Sequence, residues 1–312
     1  MDMKVIASSS RQSIPRRRPL PLVIFFAWVA TLIASLLPNI LLQETSGSAP
    51  GWLLWVKLGL MALLFAGSFL WEAVRPLRGL FAVFALFFLA SFTAGVLTIT
   101  PLWREGFGGA SFSSDLLQTQ VLKLFVALVM IAALFAIKRN RDEVFLVKGQ
   151  LSEFAEPVRW LGIDKPVSWA RLGPIAAVCI TLGTLVFLLL GGGIPSPEKI
   201  AGALPLLPVI VVFAGLNAFS EQVTYRTALL ATTHDVMGKS HALLLVAVYF
   251  GVGHFYGVPY GVVGVVMASF LGWFLAKAML ETGGFVMPWF IHFCQDLLIF
   301  SFMAIGSITP GG

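Results

Sequence analysis

Nine long apolar runs, near residues 20–42, 52–71, 79–101, 116–137, 171–190, 204–232, 241–256, 260–280 and 284–305, constrain this chain more than any other feature. A helix needs about 20 apolar residues to cross the hydrocarbon of a bilayer. The runs therefore read as helices, and the sequence predicts an all-α polytopic membrane protein with about nine transmembrane helices. Composition removes the alternatives. Of 312 residues, 58% are hydrophobic and 12% charged, against roughly 25% charged in soluble domains. So few charges cannot cover a soluble surface, and a chain this apolar does not stay disordered.

The net charge of +6 is distributed in a way that argues for topology and against nucleic acid. Arg11, Arg16, Arg17 and Arg18 precede the first run, and Lys138, Arg139, Arg141 and Lys148 follow the fourth. The loops at 43–51, 102–115 and 191–203 carry at most one basic residue each. Basic flanks on alternate loops place the N-terminus and the 138–170 stretch in the cytosol. The run at 20–42 is too long for a signal-peptide core and reads as a retained span. The organisation expected is N-terminal helices over 1–203 with a cytosolic connector at 138–170, a functional core over 204–305, and a tail over 306–312. The expected setting is a bacterial plasma (inner) membrane, multi-pass, with lipid as the surrounding partner. Cys179 and Cys294 lie inside apolar runs and offer neither a disulfide framework nor a CxxC metal spacing.

Ionisable residues inside spans are expensive and mark functional sites. Lys57 and Lys123 are expected near span ends, snorkelling to the interface. The second half differs. Glu221 and Arg226 interrupt the run at 204–232, His254 lies late in the next, and His292 and Asp296 lie within the last. At 1.5 Å per residue from the cytosolic helix ends, Glu221 sits at ~18 Å, His254 at ~21 Å, His292 at ~12 Å and Asp296 at ~18 Å. Four titratable groups on three helices thus fall in one slab. His292 and Asp296 are four apart and share a helical face. Glu221 and Arg226 are five apart, about 140° around a helix, so neither is the other's natural partner. Arg226 is expected to bind carbonyls or a carboxylate, and Phe250 to pack. His234 and His241 read as interfacial. The glycines at 251, 253, 257, 261 and 264 read as close helix contacts. Glu221, His254 and His292 are expected to converge on one cavity opening toward the cytosolic half.

A family resemblance rests on these residues. Ser220-Glu221-Gln222-Val223-Thr224-Tyr225-Arg226 resembles the EExxxR motif of the CPBP intramembrane proteases, the CAAX prenyl endopeptidase type II (ABI) family. Phe250-Gly251-Val252-Gly253-His254 matches the FxxxH motif, and His292-Phe293-Cys294-Gln295-Asp296 the HxxxN/D motif. Pro288-Trp289-Phe290-Ile291-His292 is similar to the family's approach to that last motif. Two positions depart from the pattern. Gln222 replaces the second glutamate, and Asp296 ends the last motif in place of asparagine.

The resemblance implies an intramembrane endopeptidase acting on a membrane-associated or lipidated peptide. In that reading Glu221 activates water, His254 orients it, and His292, held by Asp296, stabilises the oxyanion. Gln222, Arg226 and Phe250 support the motifs. The resemblance implies no cofactor, although two histidines and a glutamate also suit zinc. Two other classes stay open on the residues alone. One is a non-catalytic scaffold or bacteriocin-immunity-type protein, which the loss of a carboxylate at Gln222 favours. The other is a small-solute or proton carrier using the same buried groups as a relay.

Overall fold

The computed structural model describes residues 21–109, 111–137 and 140–308. Arg11, Arg16, Arg17, Arg18, Lys138 and Arg139, on which part of the topology argument rests, lie outside the described residues, as do residues 309–312 of the tail. The described residues form thirteen α-helices: α1 (Pro21–Ala34), α2 (Leu37–Ser46), α3 (Trp52–Leu70), α4 (Arg78–Thr98), α5 (Pro101–Phe107), α6 (Phe112–Ala136), α7 (Trp169–Gly192), α8 (Pro197–Ala203), α9 (Leu207–Glu221), α10 (Ala228–Met237), α11 (Lys239–Val252), α12 (Val262–Thr282) and α13 (Val286–Ser307). The only sheet among them is a two-stranded antiparallel pair, β1 (Phe154–Ala155) with β2 (Val167–Ser168).

Seven stretches of helix are long and apolar enough to cross a membrane, or eight if the bent pair α1–α2 counts as one span. The all-α polytopic class is therefore the fold. All nine apolar runs are helical, but α1–α2 is broken by 49° and α11, at 14 residues, is shorter than the other spans. The break falls at Ser35-Leu36, where Pro38 starts a new helix. Proline has no N–H for the carbonyl four residues before it, Ala34, and the bend that follows also leaves the Ser35 carbonyl without its helical donor. Lys57 fills that gap. Its Nζ donates to the Ser35 carbonyl at 2.7 Å and to Asn39 Oδ1 at 2.6 Å, and the residue is buried. The snorkelling expected of Lys57 is thus overturned: a broken helix in an apolar setting needs a donor, and the ammonium is that donor.

The main core mixes both halves of the chain. Phe81 and Phe84 of α4 and Met130 of α6 pack with Leu229 of α10 and Leu245 of α11. Close packing of α11 on α12 depends on Gly251, where a Cβ would lie 2.7 Å from the Val265 carbonyl. The other glycines of that group do different work. Gly253 and Gly257 lie in the loop beyond α11, and Gly261 takes a left-handed φ of 79° before α12. The Gly264 Cβ position faces the carbonyls of that loop, Pro259 among them.

The connector after α6 folds back over the turn between α12 and α13. Gln150 N–H donates to the Thr282 carbonyl at 2.7 Å, and Phe285 N–H to the Val147 carbonyl at 2.8 Å. Glu281 anchors it from below, accepting from Lys277, from Lys239 Nζ at 2.7 Å and from the buried Trp169 Nε1 at 3.1 Å. At the opposite end, Tyr256 and Tyr260 in the loop after α11 both donate to Glu44 of α2, at 3.2 and 2.9 Å. His234 and His241 are tied locally, His234 Nδ1 to the Leu230 carbonyl at 2.9 Å and His241 Nδ1 accepting from Trp28 Nε1 at 3.3 Å.

Candidate active site

Helix α9 ends at Glu221 and the backbone passes into a π-helical turn over Gln222–Thr227 before resuming as α10. Such turns are rare and recur at functional sites. Glu221 is 9% exposed and is held from two sides, because α9 packs on both α6 and α13. From α6, Lys123 Nζ donates to Glu221 Oε1 at 2.7 Å. From α13, His292 Nε2 lies 3.6 Å from Glu221 Oε2. The same His292 nitrogen lies 3.5 Å from Asp296 Oδ1, one helical turn further on. An imidazole nitrogen between two carboxylates at these separations is in ion-pair range, longer than a direct hydrogen bond.

Asn217 closes the network. It stands one turn before Glu221 on the same helical face. Its Oδ1 accepts from Lys123 Nζ at 2.6 Å, and its Nδ2 donates to Asp296 Oδ2 at 2.9 Å. An amide can do both because it carries an acceptor and two donors. The Lys123 ammonium balances the formal charge of Glu221. Uncompensated charge at this depth would be costly.

Lys123 was expected at a span end. It sits in the interior of α6, at the carboxylate, and the snorkelling reading is overturned. Its partner is 98 positions away, so no spacing rule along one helix could have found it. Asn217 is also missing from the sequence reading; its signal was the i, i+4 spacing to Glu221.

Arg226 faces elsewhere. It is fully buried, and none of its guanidinium nitrogens has a hydrogen-bond partner among the described residues. The carbonyl or carboxylate partner expected for it is therefore not what holds it. Its Cζ lies 4.1 Å from the centre of the Phe250 ring, so the contact is cation–π. Gln222, four residues earlier, donates instead to the Pro288 carbonyl at 2.7 Å, joining the π-helical turn to the start of α13.

His254 lies two residues beyond the end of α11. Its Nδ1 is 2.8 Å from the Phe250 carbonyl. A carbonyl only accepts, so Nδ1 carries the proton and Nε2 of the neutral ring is left as an acceptor. Phe250 is the common neighbour of the three motifs. Its ring centre is 4.3 Å from that of His254 and 6.1 Å from that of His292, besides the Arg226 contact. It packs against functional groups on every side, which is more than the packing role expected for it.

A cavity of about 290 Å³ opens beside Glu221, walled by α4, α6 and the α9–α10 helix. Phe87, Ser91, Lys123, Ser220, Glu221 and Tyr225 are among its lining residues. His254 and His292 are not among them, but His292 Nε2 lies 3.6 Å from Glu221 Oε2, so those two groups meet beside the cavity. The His292 side chain is only 4% exposed. The α4 wall, Phe87 to Gly95, belongs to the middle and C-terminal half of that helix, away from the connector end. Depth counted along three C-terminal helices carries no information about walls supplied by α4 and α6.

Among the described residues, no three His, Cys, Asp or Glu side chains are grouped to hold a metal ion. No curated protein matches the chain, and no solved structure does. Residues 203–298 match the family described as type II CAAX prenyl endopeptidase Rce1-like. That segment is just under a third of the chain and includes Glu221, Arg226, His254, His292 and Asp296. The C-terminal segment is therefore similar to type II CAAX prenyl endopeptidase Rce1-like domains, and all three sequence motifs lie inside the match.

Proposed function

We propose that the chain is an intramembrane endopeptidase in which Glu221 activates water to cleave a membrane-associated or lipidated peptide. One observation carries the reading. The Glu221 carboxylate lines a cavity, while its second oxygen is backed by His292. A carboxylate is acceptor-only and can take a proton from a water entering that cavity. His292, hardly exposed and absent from the cavity wall, holds Glu221 in place with Asp296 and Asn217 behind it. His254, with Nε2 as an acceptor, orients the water. The apolar lining from Phe87, Leu122 and Val126 suits an apolar or lipidated segment. The reading places the protein in a plasma membrane of bacterial type, with its N-terminus and the 140–168 connector cytosolic.

The test is cleavage of a fluorogenic lipidated-peptide library by purified, bilayer-reconstituted protein. Glu221→Gln should lower turnover by about 10²- to 10⁴-fold, the usual contribution of a general base, and should still give a folded protein. Turnover near that of the wild type in this variant refutes the assignment. The chain of groups from Lys123 through Glu221 to His292 and Asp296 also fits a proton relay. Proton-coupled uptake by liposomes, lost in Glu221→Gln without any peptide cleavage by the wild type, would favour that carrier.

A further inference from the structure

The group next to Glu221 in the cavity comes from outside the family-matched segment. Lys123 is on α6, and the match covers 203–298. A lysine ammonium has three donors. Among the described residues two are used, one on Asn217 Oδ1 at 2.6 Å and one on Glu221 Oε1 at 2.7 Å. The third is left over. The Lys123 side chain is 40% exposed and lines the cavity, whereas that of His292 is 4% exposed and does not. A substrate carbonyl within reach of a water on Glu221 is therefore also within reach of this ammonium.

We propose that Lys123 is the electrophilic catalytic residue: its ammonium binds the scissile carbonyl oxygen and stabilises the oxyanion. The proposal rests on the peptidase reading above. In the first step the water oxygen bonds to the carbonyl carbon, Glu221 takes the water proton, and the C=O π pair moves onto oxygen. In the second step the carbonyl re-forms, the C–N bond breaks, and Glu221 returns the proton to the leaving amine. The products are one carboxylic acid and one amine. During the first step the negative charge passes from Glu221 to the oxyanion. Lys123 faces one negative partner before and after, so no unbalanced charge develops in a setting of low dielectric. Donors already in place where charge develops are the most effective form of transition-state stabilisation.

The experiment measures kcat, KM and inhibition by a phosphinate analogue of the same lipidated peptide, with thermal unfolding alongside. Two variants are compared. Lys123→Met removes the charge, and Lys123→Gln removes it while keeping an amide donor for Glu221 and Asn217, so that a folded protein is available if the first is not. The expected result is a fall in kcat of about 10²- to 10³-fold with KM changed less than about threefold. The phosphinate should lose affinity by the same factor as kcat/KM, since an analogue of the tetrahedral state reports what the transition state loses. A merely structural lysine gives a different outcome: activity falls with unfolding, and phosphinate affinity follows substrate affinity. That outcome overturns the proposal, as does wild-type kcat in Lys123→Gln. If Glu221→Gln is inactive while the Lys123 variants are active, only this proposal fails. If the wild type cleaves nothing, the peptidase reading fails and takes this proposal with it.

Discussion

Replacing Phe250 by leucine tests whether the buried Arg226 is held by the ring. The guanidinium is fully buried, its Cζ is 4.1 Å from the ring centre, and Phe250 itself is 1% exposed. Gly272 leaves room for the ring edge, since a Cβ there would lie 3.1 Å from Phe250 Cδ1. A leucine keeps most of the volume, and swaps of that kind cost less than about 1.5 kcal/mol. A desolvated cation–π contact adds about 2 kcal/mol. Phe250→Leu should therefore destabilise by about 3 kcal/mol, twice what repacking alone predicts. The single variant cannot separate the two contributions, but a cycle with Arg226→Met can. Removing the arginine also removes an ion that is costly to bury, so the Arg226→Met single change is expected near neutral. The coupling between the two positions should be about 2 kcal/mol, roughly thirtyfold in the unfolding constant. Unfolding driven by SDS in mixed micelles and followed by tryptophan fluorescence reads it. A coupling below about 0.5 kcal/mol, the ordinary limit of additivity, would show that the ring is only filler and that something else balances Arg226.

Two further outcomes are expected. Activity of the purified protein should survive exhaustive chelation, and elemental analysis should find no stoichiometric zinc; loss on chelation with recovery on added zinc would recast Glu221, His254 and His292 as ligands. In the connector, the hydrogen bond from Lys239 holds the Glu156 carboxyl below the ordinary 4.5 of a glutamate. A carboxyl whose folded value is depressed contributes fully above its free value and loses that contribution as pH falls through the folded one. Hydrogen exchange of residues 150–168, corrected for intrinsic rates, should be flat above about pH 5 and lose protection below about 4.5; protection unchanged down to about pH 3 counts against the latch.

The architecture was legible because a membrane imposes one rule on every span, and 312 residues at 58% hydrophobic leave few other solutions. The break between α1 and α2 had a signal in Pro38, inside a run read as one span. The early end of α11 had one in Gly251 and Gly253, which were read as contacts and not as a stop. Most of the motif residues were legible because they lie on helices where spacing reports facing: His292 with Asp296 at i, i+4, and Glu221 turned from Arg226. What escaped was everything that depends on which helices become neighbours. Lys123 has Thr119 and Gln120 at helical spacing on α6 but no acidic residue there, so it looked like a span-end lysine. The cavity walls from α4 are ordinary apolar residues whose only distinction is position. Gln222 was read only as the loss of the motif's second carboxylate, because spacing along one helix says nothing about a carbonyl on α13. The π-helical turn and the Pro288 carbonyl assign it a different task.

That turn has a genetic consequence. A π-helical turn closes its hydrogen bond over five residues where an α-helix uses four, so it holds one residue more than the regular helix needs. Each residue of an α-helix turns the chain by 100° and advances it 1.5 Å. Losing a single codon anywhere in 222–227 could restore an uninterrupted helix without disturbing the apolar pattern that keeps the span in the bilayer. It would also swing everything on one side of the deletion by about 100° relative to the other. Glu221 and Asn217 on one flank could not keep facing Lys123 and His292 while Arg226 on the other kept facing Phe250. The site can thus be dismantled in one mutational step that leaves a well-inserted membrane protein behind. A lineage carrying such a deletion would keep the fold and lose the register between its two functional faces.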